Sequence, residues 1–411
     1  MKVWNSAVTT QPAQVVRCGN EAEVSAAVGR AREEGLPLSV LGGGHDWAGR
    51  ALCENGLVID VGGLKKITVE DDVATVGGGV TSLEAMDAAG ATGQAVVAGT
   101  VGSVGLTGLT IGGGYGPQLG SRGLAADNLL GARVVLADGT AVEADEDLLW
   151  ALKGGGGNFG VVTEMRVRLS PFETATAGVV LFPGEQASEV FAALGDLLAQ
   201  APDELAVLSG AMDLPDGTPA VYTNPTWVGH PPLGAEWVRR IERLGTPMVS
   251  QVGPVSSSAT LRAADEMFAA DGRGWTLRTL NVPELSSEVV KAIVTAVQSK
   301  PSANDVINMH HFHGAATRMA PDSAAFGQRR EHVMVEIISG WRDDGPELHE
   351  KWADETLNAL KEYALPGGYP NLLGPDAHAQ IVQAYGNNAA RLRSVKEKYD
   401  PQGVFTAIPL P

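Results

Sequence analysis

The chain has 411 residues and a formal charge of −18, from 48 acidic and 30 basic side chains. At roughly 150 residues per domain this length suggests two or three folding units, and an apolar fraction of 44% supplies their cores. The acidic balance argues against nucleic acid and anionic membrane as partners, and only two cysteines, Cys18 and Cys53, exclude a disulfide scaffold or an all-cysteine metal cluster.

The opening Met1-Lys2-Val3-Trp4-Asn5 has no basic patch followed by an apolar run, so no secretory leader is read. No uncharged apolar stretch reaches about 18 residues without a glycine. A cytoplasmic chain is expected. Asn20 and Glu23 have capping-box spacing, Val24, Val28 and Ala31 follow on one helical face, and Gly35 ends that helix. Residues 36–41 read as a buried strand running into Gly42-Gly43-Gly44-His45, and 57–61 as a second strand. Residues 67–69 and 73–76 flank Asp71-Asp72 as a hairpin. Thr81 and Glu84 open another helix, which stops near Gly93. Residues 134–137 and 141–144 flank Asp138-Gly139 as a second hairpin, and 161–169 alternates as a strand ending at Pro171.

Hairpins mixed with helical crossovers argue for α+β rather than a doubly wound nucleotide fold. From about Glu173 the glycine clusters cease. Strands at 178–182, 205–212, 220–228, 304–313 and 332–341 are interleaved with helices at 185–200, 234–244, 283–299 and 346–363. This pattern predicts a second sheet covered by helices on one face. A tail helix at 387–398 ends at Asp400-Pro401. The expected division is 1–172, 173–365 and a returning segment 366–411.

Function concentrates in three glycine clusters. The first, Gly42-Gly43-Gly44-His45-Asp46, follows a buried strand, and its bare backbone N–H groups suit a pyrophosphate without needing lysine. The second runs from Gly99-Thr100-Val101-Gly102-Ser103-Val104-Gly105 through Gly108 and Leu109 to Gly112-Gly113-Gly114-Tyr115-Gly116. It removes side chains along an extended path, so a flat ligand can lie against the main chain. The third is Gly154-Gly155-Gly156-Gly157-Asn158-Phe159-Gly160. The sequence contains no Gly-Lys pair, no Gly-x-Ser-x-Gly elbow and no zinc-protease spacing. His311 and His313 share a strand face, but a metal there is disfavoured against ordinary pocket or core histidines, and no metal site is expected.

Together the clusters resemble the FAD-linked oxidases of the berberine-bridge-enzyme type, within the vanillyl-alcohol-oxidase fold. The resemblance rests on Gly43-Gly44-His45, Val104-Gly105 through Gly116, Gly123-Leu124-Ala125-Ala126-Asp127-Asn128, Asp147 through Leu152, and Gly155 through Thr163. It continues in the tail with Tyr369-Pro370-Asn371 and Tyr385-Gly386 through Pro401. It implies an FAD-binding domain of two α+β subdomains and a substrate domain with an antiparallel sheet under helices. It implies a cofactor surface formed by the three clusters, with Gly160, Val161, Val162, Tyr369 and Asn371. It also implies a covalent bond from His45 to the flavin 8α carbon. Where some members carry a second linking cysteine this chain has Val101, and where those members carry a histidine it has Leu109, so one covalent link is expected. Val104 falls at the gatekeeper position and resembles the oxygen-admitting type.

The family reaction passes hydride from a substrate C–H to the flavin while a base removes the neighbouring O–H or N–H proton. The segment from Phe326 to Trp341 resembles the one leading into the base-bearing strand, which makes Glu336, among apolar neighbours, the first candidate base. His311 and His313 are second candidates and Tyr369 a third. The implied activity is oxidation of a small alcohol, hemiacetal or amine, with dioxygen as acceptor and a secondary metabolite as the preferred substrate. The alternatives are a dehydrogenase using another acceptor, and a flavin- or small-molecule-binding protein without turnover. A monomer or homodimer is expected.

Overall fold

The first predicted helix forms as Glu21–Glu34 in the computed structural model of the chain, which describes residues 3–172 and 174–411. Met1 and Lys2, read above for a leader, and Glu173, at the expected boundary, lie outside the described residues. Asn20 caps this helix by accepting the Glu23 N–H, and Gly35 ends it. Its buried Val24, Ala27, Val28 and Ala31 pack on a three-stranded parallel sheet in the order Gln14–Arg17, Leu57–Asp60, Leu38–Leu41. Leu41 is the last residue of its strand, so the first glycine cluster leaves from the C-terminal edge of a parallel sheet, where such sheets hold ligands.

A second sheet, of six strands, is built around the long strand Val161–Pro171. That strand runs antiparallel to Val73–Gly77, Leu129–Val135 and Gln94–Val96. Both predicted hairpins form, across Asp71-Asp72 and Asp138-Gly139. The Thr81–Glu84 capping box closes in both directions and starts the helix Ser82–Gly90. The Ser82 N–H then donates to the Val104 carbonyl and the Leu83 N–H to that of Gly102. A local cap thereby anchors the second glycine cluster.

The third sheet is antiparallel and seven-stranded. Its spatial order is Val249–Val255, Ala175–Pro183, Pro219–Trp227, Leu205–Asp213, Val306–Phe312, His332–Trp341, Gly274–Val282. The helices Ala187–Leu198, Ser287–Gln298 and Glu347–Leu360 cover one face, burying Val180, Val207, Ile307, Val335 and Ile337. This is the expected one-face cover, but two strands, Val249–Val255 and Gly274–Val282, add to those predicted. The opposite face carries Phe312 and Met334 against Leu119, Leu124, Phe326 and Tyr369. The tail helix Ala389–Tyr399 packs Leu392 and Val395 into the same core as Leu148, Ala151 and Leu152. Among the described residues no helix is long and apolar enough to cross a membrane.

Candidate active site

Alternation along Val306–Phe312 sends Ile307 and Met309 into the helix-covered core, and Asn308, His310 and Phe312 to the other face. The register sets Asn308 opposite Glu336 and His310 opposite Met334. Glu336 is 5% exposed. Its Oε2 lies 3.1 Å from His310 Nε2 and accepts from Asn308 Nδ2 at 3.4 Å. The Tyr115 hydroxyl donates to Oε1. Tyr222 donates to Asn308 Oδ1 across the intervening strand, where Gly210 leaves room for its ring. Burial pushes the Glu336 carboxyl up, but the His310 ring and the donors His310, Tyr115 and Asn308 outweigh it and hold the group below the usual carboxylate range. Burial, and then the Glu336 charge, push the Tyr115 phenol well above its ordinary value.

Tyr369 joins this cluster. Its Oη accepts the Gly114 N–H at 2.5 Å, and its ring meets Tyr115 edge-on at 5.1 Å between centroids. Gly113 sits at φ +125°, and a Cβ there would lie 2.6 Å from Tyr369 Oη. Only glycine permits this turn against this hydroxyl. Burial pushes the Tyr369 phenol up as well.

The structure brings Glu336, Tyr369 and Tyr115 together, but not His311 and His313. Those two stack on each other at 4.3 Å on the other side of the strand. His311 Nε2 faces Glu331 Oε1 at 3.0 Å, and His313 Nε2 faces the Pro202 carbonyl at 3.3 Å. Burial, with His313 and His332 nearby, pulls the His311 ring down to about 3. Sequence reasoning missed His310, Asn308 and Tyr222. Parity carried the signal for the first two: His311 shares alternation with the apolar Ile307 and Met309, whereas His310 shares it with Asn308.

The glycine clusters meet main chain to main chain. A Cβ on Gly43 would lie 2.3 Å from the Gly105 nitrogen, and one on Gly116 would lie 2.1 Å from the Ala98 oxygen. Half-buried His45 has its Nε2 3.0 Å from Ser103 Oγ. Asp46 pairs with Arg50 at 2.6 Å, and Arg50 donates to the Asn371 carbonyl at 2.9 Å, tying the first cluster to the tail. The Asn371 side chain rests against Gly112, and Leu109 fills the gap between Gly99 and Gly114. Thr100, Val101 and Val104 are half-buried, Gly42 and Gly108 are exposed, and Gly160, Val161 and Val162 are buried in the strand turn behind. The buried hydroxyls of Thr107 and Thr110 and the Gln118 Oε1 have no hydrogen-bond partner among the described residues. Side-chain-poor troughs beside unsatisfied polar atoms fit a large dinucleotide.

The comparisons agree with this fit. Residues 12–145 match the family model of the FAD binding domain, and 369–408 that of berberine and berberine-like proteins. The chain is an FAD-dependent oxidoreductase. The FAD-linked oxidoreductase aurO of Gibberella zeae is 32% identical over 412 residues, covering 98% of this chain and 81% of that protein. The chain belongs to the berberine-bridge-type family of FAD-linked oxidoreductases. Among solved structures, 6-hydroxy-D-nicotine oxidase from Arthrobacter nicotinovorans superposes with a TM-score of 0.90 at 24% identity, covering 98% of this chain and 93% of that one. Glucooligosaccharide oxidase from Acremonium strictum, described with a 6-S-cysteinyl, 8α-N1-histidyl FAD, gives 0.88 at 23%, covering 99% and 93%. Both show the same α+β fold.

Proposed function

We propose that this protein is an oxidase of a small-molecule alcohol, hemiacetal or amine, with a secondary metabolite as substrate and FAD held through one covalent bond to His45. When bound, FAD supplies the two-electron acceptor, and dioxygen restores it with release of hydrogen peroxide. Residues 1–172 and 366–411 hold the cofactor, and 173–365 supply the substrate face. Val101 and Leu109 stand where a second link and its histidine occur in other members, and Cys18 and Cys53 are free thiols elsewhere, so the tether is single. Val104 admits oxygen beside the cofactor.

The observation that carries the reading is the buried Glu336 carboxylate on the sheet face turned toward the turn 112–115. In this reading half-buried Tyr115, bonded to Glu336, meets the substrate. A substrate O–H or N–H gives its proton to Tyr115 Oη as the Tyr115 proton moves to Glu336 Oε1, and His310 Nε2 steadies the other carboxylate oxygen. Tyr369, held by the Gly114 N–H, shapes the same space.

The test is a panel of primary and secondary alcohols, oligosaccharides and cyclic amines. It is scored by anaerobic bleaching of the flavin band and by peroxide on admitting air. Bleaching followed by slow reoxidation in air would replace the oxygen step with another acceptor. With the substrate found, Glu336→Gln lowers kcat by about 100-fold or more while flavin per chain stays unchanged. An unaltered kcat removes Glu336 from its role.

A further inference from the structure

On the face turned away from the helices, four strands of the seven-stranded sheet place one residue each in a single row. The register pairs Tyr222 with Gly210, Gly210 with Asn308, and Asn308 with Glu336. The glycine at 210 is what opens the row, since a Cβ there would lie 2.6 Å from Tyr222 Oη. The tyrosine crosses that gap and its hydroxyl donates to Asn308 Oδ1, while Asn308 Nδ2 donates to Glu336 Oε2 at 3.4 Å. Thr279, opposite Glu336 on the next strand, has a buried hydroxyl with no partner among the described residues, so along the row Glu336 is supported from the Asn308 side alone.

The direction of this chain follows from the chemistry of its ends. An ionised carboxylate only accepts, so Asn308 turns Nδ2 toward Glu336 and Oδ1 away. An amide has one donor end and one acceptor end, so Oδ1, on a residue 6% exposed, needs a donor on its far side. Tyr222 supplies it. Burial, and then the Glu336 charge, push its phenol up, so the proton stays on Oη to be donated. Without that hydroxyl Oδ1 is a buried acceptor left unpaired, and nothing on that side opposes turning it toward the carboxylate. The titratable groups that face Glu336 are His310 from the neighbouring strand, Tyr115 from the turn 112–115 and Tyr369 from the tail, with Tyr222 behind Asn308.

We propose that Tyr222 is a positioning residue of the oxidation, which locks the Asn308 amide with its donor end against Glu336 and so keeps the base unprotonated between turnovers. It acts through Asn308 rather than by its own contact with the carboxylate. This rests on the reading that Glu336 is the base.

The test uses the flavin-loaded full chain and a substrate from the alcohol and amine panel, and follows kcat/KM against pH. The substrate's own titration is common to all variants. Tyr222→Phe removes one oxygen and keeps the ring. It is expected to move the acid limb up by about half a pH unit or more, the scale of one ordinary hydrogen bond, and so to lower kcat/KM about threefold or more below that limb. Asn308→Leu, which removes both ends of the amide, moves the limb at least as far, and adding Tyr222→Phe to it moves the limb no further. A limb that Tyr222→Phe leaves in place overturns the proposal. So does a double variant displaced by the sum of the two single shifts, because Tyr222 then acts by a route that avoids Asn308. A loss of kcat/KM that is equal at every pH overturns it as well, since it marks a merely structural role. If Asn308→Leu fails to fold, the limb of Tyr222→Phe still decides. Flavin left oxidised by every member of the panel, or a kcat untouched by Glu336→Gln, defeats the base reading itself, a separate failure.

Discussion

Glu336 carries its charge where a bare carboxylate is costly, and its donors explain how it stays there. Among them His310 contributes the strongest downward pull. Removing it by His310→Gln leaves burial in command, so the Glu336 carboxyl rises. The acid limb of kcat/KM against pH is then expected to move to higher pH, while His311→Asn, on the opposite face, leaves the limb in place. A limb unmoved by His310→Gln would detach the pair from the chemistry. This residue-scale distinction was only half legible. The segments 326–341 and 369–371 point to Glu336 and Tyr369, and both lie against Tyr115. The resemblance gives Tyr115 to the cofactor surface, and its hydroxyl also meets Glu336. His310 was passed over for His311 because resemblance points to a segment, and alternation decides which side chain faces the site.

At the scale of elements, what is local was legible and what is paired at a distance was not. The Asn20 and Thr81 caps, the Gly35 stop and both hairpins lie where short-range signals put them. The strand Gly274–Val282 escaped because its apolar residues change faces at Arg278-Thr279, Trp275 and Leu277 lying on one side and Leu280 and Val282 against the helices, so no single alternating run marks it. Val249–Val255 escaped because Pro254 argues against a strand, and the structure gives it an edge position, where proline is tolerated. Thr81 belongs to the legible set and can be tested there. Thr81→Ala removes the acceptor for the Glu84 N–H and is expected to cost about 1 kcal/mol, read as a lower urea midpoint at constant m-value. No change in midpoint would mean that the fixed loop 102–104, rather than the cap, holds the helix start.

At the scale of the whole molecule, the site depends on two long strands lying side by side, and long-range clamps hold them. Arg329 pairs with Asp127 at 2.7 Å, both side chains nearly fully buried, joining the segment before His332–Trp341 to the second sheet's side of the molecule. At the other end, His349 fixes the same strand pair. Its Nδ1 faces Asp305 at 2.8 Å, just before Val306–Phe312, and its Nε2 faces Asp344 at 2.9 Å, just after His332–Trp341. Burial works against the charged ring, but Asp305 and then Asp344 outweigh it and hold the His349 pKa above its ordinary value. In the unfolded chain the ring titrates near 6.5. The clamp's contribution is therefore complete below about pH 6.5 and is lost as pH rises through the higher folded value. His349→Gln lacks this term. The stability gap between wild type and His349→Gln, from urea midpoints, is expected to be larger at about pH 6 than at about pH 9. A gap that holds constant or widens with pH would show that His349 acts there by packing against Trp341 rather than as the cation of the clamp.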